Sequence, residues 1–122
     1  VIDDVAYRTF HGVRVRGARV GRFAIRMRWA GARQMEFGRP TRPFVVDHIN
    51  TGAILADVTN FDDALRIADD LSRFSRKDPS ARSASRAAEQ IGESVVKWAI
   101  ACCNEDRHIP YREWLAARRQ AA

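Results

Sequence analysis

The sequence predicts an α+β fold: an N-terminal antiparallel β-meander of four to five strands over about 5–58, covered on one face by two to three C-terminal helices over about 61–119. Apolar residues recur at every second position in the first half and at helical spacing in the second. No helical pattern interrupts the strands to make parallel crossovers. The 122 residues are the length of one domain, so 1–122 is read as a single α+β unit.

The first strand is read around Tyr7–Phe10, with Gly12 as a bulge. Val13 and Val15 alternate with Arg14 and Arg16, the period of a half-buried strand. Gly17-Ala18-Arg19, with Gly21 close behind, reads as a hairpin connection. Phe23, Ile25, Met27 and Trp29 then alternate with Arg22, Ala24, Arg26 and Arg28, giving one apolar face and one that carries three arginines. Ala30-Gly31-Ala32 turns the chain into a short strand at Gln34–Phe37. Two prolines and a glycine make Gly38–Pro43 a loop without regular pairing. Phe44–Ile49 and Ala53–Val58 form the last hairpin, around Asn50-Thr51-Gly52.

Phe61, Ala64, Leu65, Ala68, Leu71 and Phe74 make a helical stripe, widened by Ile67. Asn60 is its expected N-cap, with Asp62 and Asp63 at the positive end and Arg73, Arg76 and Lys77 at the negative end. Asp78 and Pro79 are expected to open a second helix, whose stripe from Ala84 through Trp98 reaches about Cys103. Gly92 weakens that helix by about 1 kcal/mol against Ala. Pro110 opens a last short helix, on which Tyr111 and Trp114 are read as a partner interface, a homodimer seam.

Composition excludes several classes. Hydrophobic residues are 46% and charged residues 30%, so the chain is not a disordered segment. No apolar run approaches the ~18 residues of a membrane span, and no basic region leads into a signal-like apolar stretch. Val1 stands where an initiator Met would, so preceding residues are expected. Adjacent Cys102 and Cys103 cannot staple distant parts of a fold, and a reducing cytoplasm is the expected location.

No Walker loop, GxGxxG, GxSxG or HExxH occurs, and an enzyme is not expected. Cys102, Cys103 and His108 lack zinc-ligand spacing, and a buried inert cysteine on a helix stripe is the preferred reading. Asp47-His48 lies at a strand end, where functional residues often sit; a core-edge histidine with satisfied hydrogen bonds is preferred. Asp57, Asp62 and Asp63 could approach a divalent cation, but capping explains two of them. No catalytic residue, metal or cofactor is assigned.

The net charge is +6, and 19 of the 21 bases are arginine. Residues 1–46 hold ten arginines against three acids, 47–78 four bases against seven acids, and 79–122 seven bases against five acids. No acid occurs between Asp4 and Glu36. Arg14, Arg16, Arg22, Arg26 and Arg28 are therefore expected to share one outer sheet face, extended by Arg39 and Arg42. The first reading is a nucleic-acid platform, DNA before RNA, with arginines on phosphates and base edges. The second is docking on an acidic protein surface, as a host-factor inhibitor would. The third is a solvated face reflecting the codon usage of a GC-rich genome. Under the first, Arg26→Glu with Arg28→Glu should abolish binding and spare the fold. The order of elements is similar to that of DNA-binding domains built from a three-stranded sheet and a helix, though the extra strands depart from them. The run Phe44–Gly52, with Phe61 and the following helix, resembles small phage and actinobacterial proteins; no site is carried over.

Overall fold

Alternation of side chains across strands, with small residues where the sheet bends, produces a curled antiparallel sheet. Its strands are β1 (Asp3–Arg8), β2 (Arg14–Val20), β3 (Phe23–Met27), β6 (Phe44–His48) and β7 (Ile54–Val58), hydrogen-bonded in the order β1-β2-β3-β6-β7. Two residues each of β4 (Met35–Glu36) and β5 (Arg39–Pro40) make a separate pairing. The computed structural model describes residues 3–28 and 41–121, and the backbone alone at 35–36 and 39–40. Trp29 and the side chain of Arg39 lie outside the described residues.

The sheet does not lie flat. β1 and β6 are separated by two strands, yet the Tyr7 hydroxyl is 2.7 Å from the Asp47 carboxylate. The Phe10 amide, just past β1, bonds to the Gly52 carbonyl in the β6–β7 turn at 3.0 Å. Only strong coiling of the sheet brings these points together. Gly17 and Ala24, both buried, are the small residues on that concave face between Tyr7 and Asp47. Gly52 has φ +70°, and a Cβ there would run into the backbone of Arg8–Phe10.

The convex face carries the apolar core. Phe23, Ile25, Val46, Ala56 and Val58 pack beneath α1 (Phe61–Phe74) and α3 (Glu93–Glu105). From α1 come Ala64, Ile67, Ala68 and Leu71; from α3 come Val95, Trp98, Ala99 and Cys102. Trp98 is fully buried, and its indole N–H donates to the Ile109 carbonyl at 2.6 Å. α2 (Ala84–Ile91) packs on α3, and α4 (Tyr111–Ala121) closes the chain. Asn60 caps α1 by accepting the Asp63 amide at 3.2 Å, as expected. Among the described residues no helix is long and apolar enough to cross a membrane.

The fold class stands as predicted, and several boundaries move. β1 ends at Arg8, so Gly12 belongs to the 9–13 loop and makes no bulge; the register shift lies at Val46/Asp47. β2 runs through Gly17 to Val20, and the chain turns at Gly21-Arg22. Arg39–Pro40 pairs with Met35–Glu36 despite the proline. The second helix starts at Ala84, not at Pro79. Asp78 caps nothing there because both its oxygens take Arg22, and the Pro79 carbonyl accepts from His48. Gly92, at φ +101°, splits the expected helix into α2 and α3 rather than weakening one helix.

Gly52→Ala is expected to cost about 2 kcal/mol, because positive φ and the hairpin backbone both oppose a side chain. Urea denaturation measures it; a midpoint equal to wild type would remove the Gly52 contact as a determinant of the curl.

Candidate nucleic-acid interface and the buried arginine network

Hairpin register decides where the arginines go. Gly21-Arg22 is a two-residue turn, so Val20 pairs with Phe23 and Ala18 with Ile25. Even positions of β2 therefore share a face with odd positions of β3. Arg14 and Arg16 lie on the opposite sheet face from Arg26. The single arginine face expected from the sequence does not form.

Arg26 and Arg28 are not surface groups. Their side chains are 12% and 10% exposed. Arg26 Nε donates to Asp47 Oδ2 at 2.6 Å, and Tyr7 Oη donates to the same oxygen at 2.7 Å. Asp47 is fully buried, and its Oδ1 has no hydrogen-bond partner among the described residues. Burial pushes the Asp47 carboxyl up, against the pull of Arg26 and the Tyr7 hydroxyl. Burial, then the adjacent carboxylate, pushes the Tyr7 phenol up as well, which keeps it a proton donor. Arg28 Nη1 bridges the Asp57 carboxylate at 2.8 Å and the Arg42 carbonyl at 2.7 Å. Arg42 donates its amide to Asp57 at 3.2 Å and its guanidinium to the Cys103 carbonyl, and lies 3.7 Å from Asp106. Three predicted binding arginines are thus committed to an internal network around Asp47 and Asp57.

Two others are paired at the surface. Arg16 meets Asp4 across the β1–β2 pair, and Arg22 grips Asp78 through two 2.8 Å bonds that hold that carboxyl below its usual range. Arg14 is exposed and has no ion pair among the described residues. It stands directly opposite Arg8, which the sequence reading did not single out. Arg8 is also exposed without an ion pair, and its Nη1 donates to the Gly12 carbonyl at 3.1 Å. Beyond them the loop exposes Phe10, 64% accessible, and Val13. The sequence offers Arg8 as a base inside the strand read at Tyr7–Phe10, and the structure puts it at the end of β1. Its pairing required the register.

The other candidates resolve into structure. His48 is buried, with Nδ1 2.8 Å from Thr51 Oγ1 and Nε2 2.6 Å from the Pro79 carbonyl. The carbonyl can only accept, so Nε2 carries the proton and Nδ1 accepts from Thr51. Cys103 Sγ donates to Asp57 Oδ1 at 3.1 Å, while His108 Nε2 is 2.8 Å from Asp70. Burial pushes the Cys102 thiol up to about 11, away from a reactive thiolate. No metal-ligating group of His, Cys, Asp or Glu is found among the described residues. Tyr111 is buried against Trp98 and Phe74, and Trp114 is half-buried beneath Arg118, so much of the expected dimer seam is spent inside the chain. No protein family, characterised protein or solved structure matches this chain.

Arg26→Glu should destabilise by about 3–5 kcal/mol, since it leaves the buried Asp47 carboxylate facing a second acid. It is expected to abolish cooperative thermal unfolding; a folded variant would show the network to be dispensable. This reverses the expectation that such a change spares the fold.

His48 makes stability fall with acid. Burial holds its pKa below the ordinary imidazole value, so the unfolded chain takes up the proton first. The contribution of neutral His48 is full above about pH 6.5 and is lost progressively below it. Urea midpoints at pH 7.5 and 5.5 measure the slope. His48→Gln should lower the first midpoint and flatten the fall; an undiminished slope would assign the acid sensitivity elsewhere.

Proposed function

We propose that this chain binds nucleic acid through the β1–β2 hairpin, with no chemistry on the ligand. The observation that carries the reading is the cross-strand pair Arg8–Arg14. Both side chains are exposed, they stand directly opposite each other, and neither has an ion pair among the described residues. Like charges at that spacing repel, and a phosphate between them removes the repulsion. The net charge of +6 supports attraction to a polyanion over the rest of the surface. Arg26, Arg28 and Arg42, paired inside the fold, drop out of the ligand-binding set. An acidic protein surface would satisfy the same two guanidiniums, but no feature of the hairpin favours that partner over a phosphate chain.

Titration of labelled oligonucleotides at several salt concentrations tests this. Binding should weaken with a log–log slope of several ions, and Arg8→Ala with Arg14→Ala should reduce that slope by about 2. Arg118→Ala with Arg119→Ala, at the far end of α4, should leave the affinity within about twofold. An unchanged slope in the hairpin variant would move the site off β1–β2.

A further inference from the structure

We propose that the hairpin tip takes single-stranded nucleic acid, with one unstacked base on the Phe10 ring and the flanking phosphates on Arg8 and Arg14. This rests on the polyanion reading above and names its ligand class. Phe10 is 64% exposed, and Val13 beside it is 58% exposed. A Cβ built at Gly12 meets nothing within 4 Å, so the approach to the tip is open. The backbone beneath is fixed. The Thr9 amide donates to the Val13 carbonyl at 2.9 Å, the Gly12 amide to the Thr9 carbonyl at 2.8 Å, and the Val13 amide to Thr9 Oγ1 at 3.2 Å. The Phe10 amide is tied to the Gly52 carbonyl, and the Phe10 and His11 rings stand nearly perpendicular with centroids 5.8 Å apart. Phe10 is therefore a presented ring, not a frayed one.

The chemistry selects the strandedness. In a duplex each base face is covered by its neighbours, so an exposed ring gains nothing from it. A single strand offers an unstacked π-face next to its phosphates, and an exposed aromatic residue in the loop joining two arginine-bearing strand ends supplies a partner for each. Every base has such a face, so the site is tolerant of sequence.

Fluorescence anisotropy with a labelled mixed-sequence 20-mer, single-stranded and as duplex at one salt concentration, tests the proposal. Single-strand affinity should exceed duplex affinity by about tenfold, and Phe10→Ala should lower the former by about tenfold while leaving the salt slope unchanged. Phe10→Trp should restore it, separating stacking from any loss of loop order. Equal loss on both ligands, no loss on either, or failure of Phe10→Trp to restore binding overturns the stacking site while leaving polyanion binding intact. Absence of binding to either oligonucleotide at low salt overturns the functional reading itself, and this inference with it.

Discussion

The Asp47 carboxylate is the point on which the concave half of the molecule is organised. One of its oxygens accepts from Tyr7 on β1 and from Arg26 on β3, while its own strand, β6, supplies the backbone. The Tyr7 bond spans strands that a flat sheet would hold well apart, while Arg26 reaches from the neighbouring strand. They also constrain the sequence. The residues between must be small, as Gly17 and Ala24 are, and Gly52 must admit the returning hairpin. A buried carboxylate is costly unless it is paired, and the guanidinium and phenol supply that pairing for one oxygen only.

Strand and helix periods were legible, and with them the layer architecture. The stripe of α1, its Asn60 cap, the Asn50–Gly52 turn and the tyrosine-led last helix all rest on local chemistry that the sequence displays. Side-chain placement was not legible where it depends on register. Alternation within β2 and within β3 is plain, but which face of one joins which face of the other turns on whether the connection holds an odd or an even number of residues. Reading Gly17-Ala18-Arg19 as the turn left that parity open. The structure puts the turn at Gly21-Arg22 and parts Arg14 and Arg16 from Arg26.

The second illegible feature was compensation at long range. The stretch from Val5 to Met35 contains no acid, which suggested a face of uncompensated charge. Three of its arginines find their partners far along the chain: Arg26 with Asp47, Arg28 with Asp57 and Arg22 with Asp78. The acid-rich middle segment is thus the counter-charge of the basic N-terminal strands. Charge counted by segment records both halves of these pairs without showing that they meet. Asp57 and Asp78, read as a cation candidate and a helix cap, are instead arginine acceptors.

The division of arginines follows from what each backbone position can reach. Arg26 sits on a central strand facing a buried carboxylate, and its charge is neutralised where water cannot screen it. Arg8 and Arg14 sit on the outermost pair of strands, next to the loop and past the last acid of β1. Nothing within the described fold competes for them as Asp47 competes for Arg26. Stability and ligand binding therefore draw on different guanidiniums, and charge reversal at the first set acts on the fold while charge removal at the second acts on the surface. The hairpin that carries the pair is held next to its loop by Tyr7 on Asp47 and in the loop itself by Phe10 on Gly52. The same buried carboxylate that curls the sheet consequently fixes the platform on which the exposed ring and the two unpaired arginines are presented.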